Sequence, residues 1–334
     1  MKKNVLIIGD GRIARAVGFY LQASGLDLTV RFDPRARQAS QADLLVGSMA
    51  GDLGSFPLEA ALSYRKPLVD ISDMEPAYFL KNRARIERCR ITVVPACGFC
   101  PGLVNMLVGR EKAALGSSIR KIDIMAGSLS PVEEYFPFLW CFEDLVLEHT
   151  LSSEQIVGRR RRRFPAFAGY REELIEGIRA ESYYTQSGFE NMMDGLKLEE
   201  FTYRVLRPRG FGVFYRFLRN EGFFSPSAMR QTKAVVEKNV RQNITVGRIE
   251  IETSAMKVLW EMRAAAKPQA KLNSMQKITA RTPASVACWI LRHRAPRGLV
   301  FPEELCSDAA LYADVLSANR LAGIALTRRE VPVC

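Results

Sequence analysis

Residues 5–17 read Val-Leu-Ile-Ile-Gly-Asp-Gly-Arg-Ile-Ala-Arg-Ala-Val, types and spacing that fit a turn able to cradle phosphate. An apolar run from Val5 to Ile8 enters a turn carrying Gly9 and Gly11, and Ala14 follows. Gly9 permits a tight strand-to-helix turn, Gly11 lets backbone approach a pyrophosphate, and Ala14 lets a helix lie close to the strand. Ile13, Val17, Tyr20 and Leu21 then share one helical face. The N-terminus of such a helix offers N–H groups and a partial positive charge to phosphate oxygens. Gly9, Gly11, Arg12 and Ile13 thus form an expected dinucleotide cradle. Asp33 ends the next strand candidate, 28–32, where an acid accepts hydrogen bonds from an adenosine ribose. It favours NAD by repelling a 2′-phosphate, while Arg31, Arg35 and Arg37 leave NADP open. The competing readings are an ordinary glycine turn and a solvated arginine surface.

The elements that must position these residues follow from periodicity. Strand and helix signals alternate over the first ~100 residues, the pattern of a parallel sheet. The run 44–46 reads as the next strand. Nine residues between Asp33 and Asp43 are too few for a helix plus a further strand, since a parallel crossover takes roughly a dozen or more. A trimmed Rossmann-type sheet is expected, with one short helix around 36–41 and one customary strand missing. Further helices are predicted at 58–64, 77–88 and 103–114, and strands at 67–69 and 91–94. Beyond residue 118, strand-like stretches at 119–125, 160–164, 201–206 and 244–251 predict a second α/β domain of more antiparallel character. Helices at 284–292 and 309–320 follow. The expected organisation is a dinucleotide-binding domain (1–116), an inserted α/β substrate and dimerisation domain (117–282), and C-terminal helices (283–334) that return to the first domain.

Composition narrows the class. The 334 residues suffice for a sizeable core. An apolar content of 48% with 25% charged residues is that of a soluble globular protein. No apolar run reaches the ~18 residues of a membrane span, and a strand pattern begins at once, without a signal or transit peptide, which points to the cytoplasm. Seven scattered cysteines, an odd number, suit reduced thiols better than a disulfide framework. The net charge of +12 favours anionic partners; a dinucleotide and a carboxylate substrate suffice for that.

Residues 93–109 read Val-Val-Pro-Ala-Cys-Gly-Phe-Cys-Pro-Gly-Leu-Val-Asn-Met-Leu-Val-Gly. Together with the glycine turn, this resembles the saccharopine dehydrogenase-like family, especially its lysine 6-dehydrogenase branch. The family's Gly-x-x-Pro-Gly-hydrophobic-x-Asn signature is matched by Gly98, Pro101, Gly102 and Asn105. Residues 42–54 are similar to the family's strand and loop beside the nicotinamide, which places Ser48, Met49 and Ala50 there. Residues 68–72 look like its next strand, ending at an aspartate near the substrate, here Asp70. Residues 282–287 and 298–304 look like its closing helix and loop. The resemblance implies a nucleotide-binding half, an inserted α/β domain, a homodimer, and oxidation of a C–N bond by NAD(P) to an imine that water opens. The implied partner is a small amino-acid-like substrate.

That chemistry needs a held carboxylate and a route for a proton. Residues 203–211, Tyr-Arg-Val-Leu-Arg-Pro-Arg-Gly-Phe, look like the family stretch Tyr-Lys-Thr-Leu-Arg-Tyr-Pro-Gly-His. Arg207 keeps the family arginine, whose planar fork suits a carboxylate. Arg204 replaces a lysine that can shift its pKa, and Phe211 replaces a histidine. The proton carrier then falls to Asp70, or the chain has a new substrate or no catalysis. The resemblance thus assigns Asp70, Arg204 and Arg207 to the reaction. The competing readings are surface ion pairs for the arginines and a turn for Asp70. Cys97, Gly98, Phe99 and Cys100 fall on the substrate side; the Cys97–Cys100 spacing suits a redox pair, but the signature already accounts for the segment. His149 takes the place of a family tyrosine in the stretch 141–149 and joins the candidate substrate pocket, although a lone histidine is more often structural. His293 reads as solvated. No spacing suits a metal. The run Arg159–Arg163 reads as a solvated strand, with polyanion binding as its alternative and no nucleic-acid motif beside it.

Overall fold

The first apolar run forms strand β1 (Lys3–Ile8), and the periodic segment after the glycine turn forms helix α1 (Arg12–Gln22). The structure is a computed structural model describing residues 2–130, 142–186, 188–193, 197–236, 243–267, 269–293 and 295–333. Cys141, Arg294 and Cys334 lie outside the described residues. The chain divides into two units. The first comprises Met1–Gly116, Gly188–Asp194 and Gln276–Gly323, the second Ser117–Ser187, Gly195–Met275 and Ile324–Cys334.

In chain order, the first unit continues through β2 (Leu28–Phe32), β3 (Leu44–Gly47), α2 (Phe56–Tyr64), β4 (Leu68–Asp70), α3 (Pro76–Lys81), α4 (Arg83–Cys89), β5 (Thr92–Val94) and α5 (Leu103–Leu115). Then come β6 (Ile119–Leu129), α6 (Phe142–Glu148), β7 (Ser153–Val157), β8 (Arg160–Phe164), β9 (Arg171–Ile175) and β10 (Ile178–Tyr184) of the second unit. Helix α7 (Glu190–Met193) belongs to the first unit. It is followed by β11 (Glu200–Pro208), α8 (Phe211–Asn220), α9 (Pro226–Val236), β12 (Asn243–Thr253) and β13 (Met256–Ala266). The chain ends with α10 (Ser274–Arg292), β14 (Gly298–Leu299), α11 (Pro302–Leu305), α12 (Ala309–Leu321) and β15 (Ala325–Pro332).

The first sheet is parallel throughout, in the order β14-β5-β4-β3-β1-β2. It stops at β2, and the short link to β3 holds only a single 3-10 turn, Ala39–Gln41, where a helix was predicted. This is the trimmed Rossmann-type sheet that the short Asp33–Asp43 interval requires. The predicted helix 77–88 is two helices, broken at Asn82, whose side chain donates to the Tyr78 carbonyl at 2.9 Å. Leu6, Ile8, Leu45, Leu58, Leu68, Phe79 and Val93 build the core under this sheet.

The second sheet runs β15-β13-β12-β6-β11-β10-β9, with β7 on β11 and β8 on β7. Among the described residues of this sheet only the β6–β11 pair is parallel. A second core gathers Phe142, Leu145, Phe211 and Tyr215. The C-terminal region corrects the expected run of helices. Helix α10 starts at Ser274, and residues 325–332 form an edge strand on β13 with only Leu326 buried. A single buried side chain in an otherwise exposed strand carries almost no period-2 signal. No helix among the described residues is long and apolar enough to cross a membrane.

Candidate functional site

Gly9 leaves β1 with φ +140°, and a Cβ there would collide with the Ser48 carbonyl oxygen. The Ser48 N–H in turn donates to the Ile8 carbonyl at 2.9 Å, so the ends of β1 and β3 are joined backbone to backbone. Gly11 is the residue before α1, in extended backbone, and no heavy atom lies within 4 Å of where its Cβ would stand. No side chain caps this helix and no acid occupies its first turn. Ala14 is fully buried. The close approach of α1 to the sheet is also made at Gly18, which the fingerprint alone does not include; a Cβ on it would strike the Phe32 ring. The available signal was a glycine inside a helix, a position that costs roughly 0.5–1 kcal/mol unless packing requires it.

Asp33 follows β2 directly, and its N–H donates to the Ile7 carbonyl at 3.0 Å. Its carboxylate accepts the Arg35 N–H at 3.0 Å and the Gln38 N–H at 3.3 Å, tightening its own turn. Each carboxylate oxygen keeps a further lone pair for a ribose hydroxyl. Arg31 donates to the Gln38 and Gln41 side chains, and Arg35 and Arg37 are exposed. Inside the turn, Asp10 forms an ion pair with Arg15 at 2.8 Å, which offsets an acid that would repel phosphate. The open backbone at Gly11, the uncapped helix and the acid at the end of β2 all fit a dinucleotide. Two glycine variants separate fold from binding. Gly9→Ala is expected to lower the melting temperature through strain and collision. Gly11→Ala, at an N-cap with open space around its Cβ, is expected to cost only about 1 kcal/mol of stability while weakening NADH binding, as read by thermal unfolding and fluorescence titration.

Asp70 ends β4 and is 1% exposed. Its Oδ1 accepts the Ser72 N–H at 2.8 Å, an Asx-turn, while its buried Oδ2 has no partner. Burial pushes its pKa up to about 6, against the lowering effect of the Ser72 hydrogen bonds. The Asp70 carbonyl accepts the Cys97 N–H at 2.9 Å. The Cys97 thiol is fully buried, and burial, then Asp70, pushes it far above its ordinary value, so it stays protonated. Cys97 and Cys100 are not joined in a disulfide. Gly98 and Phe99 are buried as well, and Cys100 is half-buried. Gly98 and Gly102 lie backbone to backbone. Asn105 accepts the Gly102 N–H at 2.9 Å and donates to Glu303 at 3.3 Å. The signature residues are thereby explained as packing and capping at the start of α5.

In the second unit the structure brings His149 and Arg207 together. Arg207 Nη2 donates to Glu148 at 2.7 Å, and its Nε donates to His149 Nε2 at 3.3 Å. His149 Nδ1 meets the Leu145 carbonyl at 2.8 Å, so the ring is neutral and carries its proton there. Phe167, Phe211 and Tyr215 surround the ring. Burial, then the Arg207 charge, holds the His149 pKa down at about 4. Arg204 is elsewhere. It lies three residues from Arg207 on an unbroken strand and so projects from the opposite face. Its guanidinium sits 4.3 Å from the centre of the Tyr184 ring, 3.7 Å from Asp123, and donates to the Gly169 carbonyl. The two arginines therefore do not form one carboxylate clamp, and each is buried against partners within its own unit.

The two perturbed groups make a pH prediction. His149, kept neutral in the fold, contributes stability that is present above about pH 6.5 and lost as pH falls to about 4. Asp70 acts oppositely: its contribution is present below its ordinary value of 3.8 and lost as pH rises through about 6. Between about pH 4 and 6 the two offset. In His149→Gln the opposing His149 contribution is removed, and those of Asp70 and of Glu75, which burial, Glu190 and Asp73 push up to about 7, remain. Urea unfolding across that window should then show stability falling by about 1.4 kcal/mol per pH unit relative to the parent.

The arginine run forms β8, the exposed outer strand of a hairpin. Arg161 pairs with Glu154 at 2.6 Å and Arg159 with Glu199 at 2.8 Å. A charged edge strand resists pairing with other chains. His293 is exposed at the end of α10. Among the described residues no group of three or more His, Cys, Asp or Glu is placed to hold a metal ion.

No protein-family model matches the chain, and no curated protein sequence matches it significantly. Among solved structures, it is similar to apo saccharopine dehydrogenase (L-Glu forming) from Saccharomyces cerevisiae. The TM-score is 0.75 at 14% identity, over 98% of this chain and 100% of that one. A probable dehydrogenase from Thermotoga maritima aligns over 98% of both chains at 10% identity, with a TM-score of 0.45. An amine dehydrogenase from Mycobacterium smegmatis aligns over 90% of this chain and 95% of that one at 10% identity, with a TM-score of 0.44. The chain therefore has the two-domain α/β fold of the yeast saccharopine dehydrogenase structure, a Rossmann-type parallel sheet with a second, mixed sheet.

Proposed function

We propose that this protein is an NAD(P)-dependent oxidoreductase acting on the C–N bond of an amino acid or amino-acid adduct, in the manner of saccharopine dehydrogenases or lysine 6-dehydrogenases. The observation that carries the reading is a single sheet edge. The glycine turn after β1, the Ser48–Ala50 loop after β3, Asp70 at the end of β4 and Cys97 beyond β5 all lie at C-terminal ends of neighbouring parallel strands. In open α/β sheets that edge is where ligands bind.

A bound nicotinamide would supply the hydride acceptor. The residues of the chain do the rest. Gly11 and the N-terminus of α1 hold the pyrophosphate, and Asp33 holds the adenosine ribose, NAD being the preferred form and NADP an open one. Asp70 moves the proton: its Oδ2 lacks a partner, and a carboxyl titrating near 6 can both take and return a proton near neutrality. The substrate amine loses hydride and a proton, the proton passes to Oδ2, and water opens the resulting imine. Arg207 and Arg204 act in this reading as positioning residues that set the shape of the second unit. The working form is a homodimer in the cytoplasm, which sedimentation and fractionation test.

A second reading, a dinucleotide-binding protein without catalysis, is favoured by one observation. Arg204 and Phe211, which replace titratable residues of the family stretch, are both buried in structural contacts. Mixing the protein with NAD or NADP and a panel of diamino acids, saccharopine and polyamine adducts decides. Reduced cofactor supports the first reading. Binding without reduction supports the second, and no binding removes both.

A further inference from the structure

We propose that a concavity on the second unit, beside the hairpin that joins β9 and β10, is a binding site for an amino acid with an apolar side chain, taken up as its zwitterion. The concavity has a volume of about 370 Å³ and is lined by Glu172, Glu173, Leu174, Arg179, Ala180 and Arg209, all within that unit. Leu174 and Arg179 stand opposite each other across the β9–β10 pair. Arg209 continues the β11 register, and its N–H donates to the Arg179 carbonyl at 3.4 Å. Residues directly opposite in an antiparallel sheet share a face. One row across three strands therefore presents an apolar side chain and two guanidiniums. Glu172, two residues before Leu174 on the same strand, lies on that face as well.

The two guanidiniums are uncompensated. Arg179 and Arg209 are exposed, and among the described residues neither is held by an ion pair or a side-chain hydrogen bond. Like charges directly opposite on neighbouring strands repel, and the acids nearest to them are engaged elsewhere. Glu181, on the same face, accepts the Gly210 N–H at 2.8 Å, the Gly212 N–H at 2.7 Å and the Tyr183 hydroxyl. Glu173 projects to the other face, where it accepts the Ser182 hydroxyl at 2.9 Å and meets Arg248 at 3.9 Å. Glu172 accepts the Tyr170 hydroxyl at 3.2 Å, and its carboxylate has lone pairs to spare. Leu174 is 70% exposed among these charges.

The chemistry of the ligand follows from complementarity. Two planar guanidinium forks suit one carboxylate, through charge-assisted hydrogen bonds. The Glu172 carboxylate suits an ammonium group. Leu174 loses contact with water when an apolar side chain covers it. A simple anion would face Glu172, and a simple cation would face both arginines, whereas a zwitterion meets each group with its opposite. The volume falls in the range of small-molecule sites, about 300–1,000 Å³. Because the site is open to solvent, its affinity is modest and falls with added salt.

Isothermal titration calorimetry of the full chain at low salt, with L-leucine, isocaproate, isoamylamine and glycine as probes, tests the site. The last three lack, in turn, the ammonium, the carboxylate and the apolar side chain of leucine. L-leucine is expected to bind with a Kd of about 1 mM. Each of the other three should bind about tenfold more weakly, through loss of a charged hydrogen-bonding partner or of apolar cover. Arg179→Gln and Arg209→Gln should each weaken L-leucine binding by about tenfold. In Glu172→Gln, L-leucine and isocaproate should bind alike, because Glu172 is the group that tells them apart. All three residues are exposed, so the variants should melt as the parent does. If a variant fails to fold, the probe series on the parent still decides. The proposal is overturned by an absence of L-leucine binding at about tenfold that Kd, by unchanged binding in both arginine variants, or by isocaproate binding to the parent as tightly as L-leucine. Neither cofactor nor turnover enters these measurements, so each of these outcomes leaves the proposed function standing.

Discussion

Arg207→Met is expected to lower the unfolding free energy by about 3 kcal/mol, the low end of what breaking a buried ion pair costs. The guanidinium side chain is only 6% exposed, and it satisfies the half-buried Glu148 and the buried His149 at once. Removing it leaves the Glu148 carboxylate with Thr185 as its remaining side-chain donor at 2.8 Å, and takes from His149 Nε2 the N–H that it accepts. The low end applies because the Glu148 side chain keeps 17% exposure and can recruit water. A hairpin arginine such as Arg161, 39% exposed beside Glu154, should cost no more than about 1 kcal/mol when replaced. Urea unfolding of Arg207→Met, Glu148→Gln and the double variant measures the coupling. The double variant is expected to cost less than the sum of the singles, because it leaves no unpaired charge. An unchanged stability accompanied by a raised KM for an amino-acid substrate would instead make Arg207 the carboxylate ligand that the sequence resemblance implies.

The contrast between the two units shows what a sequence can disclose. The cofactor-side geometry is local. Gly9, Gly11 and Ala14 each answer a requirement set within a few residues, and Asp33 is placed by the length of one strand–helix–strand unit. Even the missing strand was legible, because nine residues cannot hold a crossover. The roles of Arg204 and Arg207 are set by distant partners. Arg207 meets Glu148 across 59 positions, and Thr202 beside Arg204 meets Asp123 across 79. A family stretch can align an arginine with an arginine without revealing whether its fork is already engaged. The strand arithmetic was available, however: residues three apart on one strand face opposite ways, so Arg204 and Arg207 could not share a ligand. Strands β9 and β15 escaped for another reason. Both lie at sheet edges with most of their side chains in water, so their polar residues read as loop or tail. No residue pattern discloses which oxygen of a buried carboxylate is left alone, and that detail distinguishes Asp70 from an ordinary turn residue.

Asp70→Asn is expected to lower turnover by about 10²- to 10⁴-fold while leaving the protein folded, the range associated with loss of a positioned acid–base group. The fold should gain rather than lose at alkaline pH. A carboxyl whose folded pKa is raised from 3.8 to about 6 is destabilising once ionised, and that penalty is complete above the folded value. An amide is neutral throughout, so Asp70→Asn at about pH 8 should be more stable than the parent. The upper limit is about 3 kcal/mol, the free-energy equivalent of the shift. The realised gain should be nearer 1 kcal/mol, because the amide brings donors into a site where Oδ2 had no partner. Opposite signs for activity and stability at one residue are the signature of a group kept in an unfavourable environment for its chemistry. Denaturant midpoints at about pH 5 and pH 8, measured beside turnover, give the test. As pH falls below the folded value the stability gain should shrink, to roughly half at pH 5, and it vanishes only below about 3.8, where the unfolded parent is neutral as well. Retained turnover in the amide variant would move the proton carrier to another residue, and a loss of stability at alkaline pH would mean that the Asp70 charge is held by more than the Ser72 hydrogen bonds.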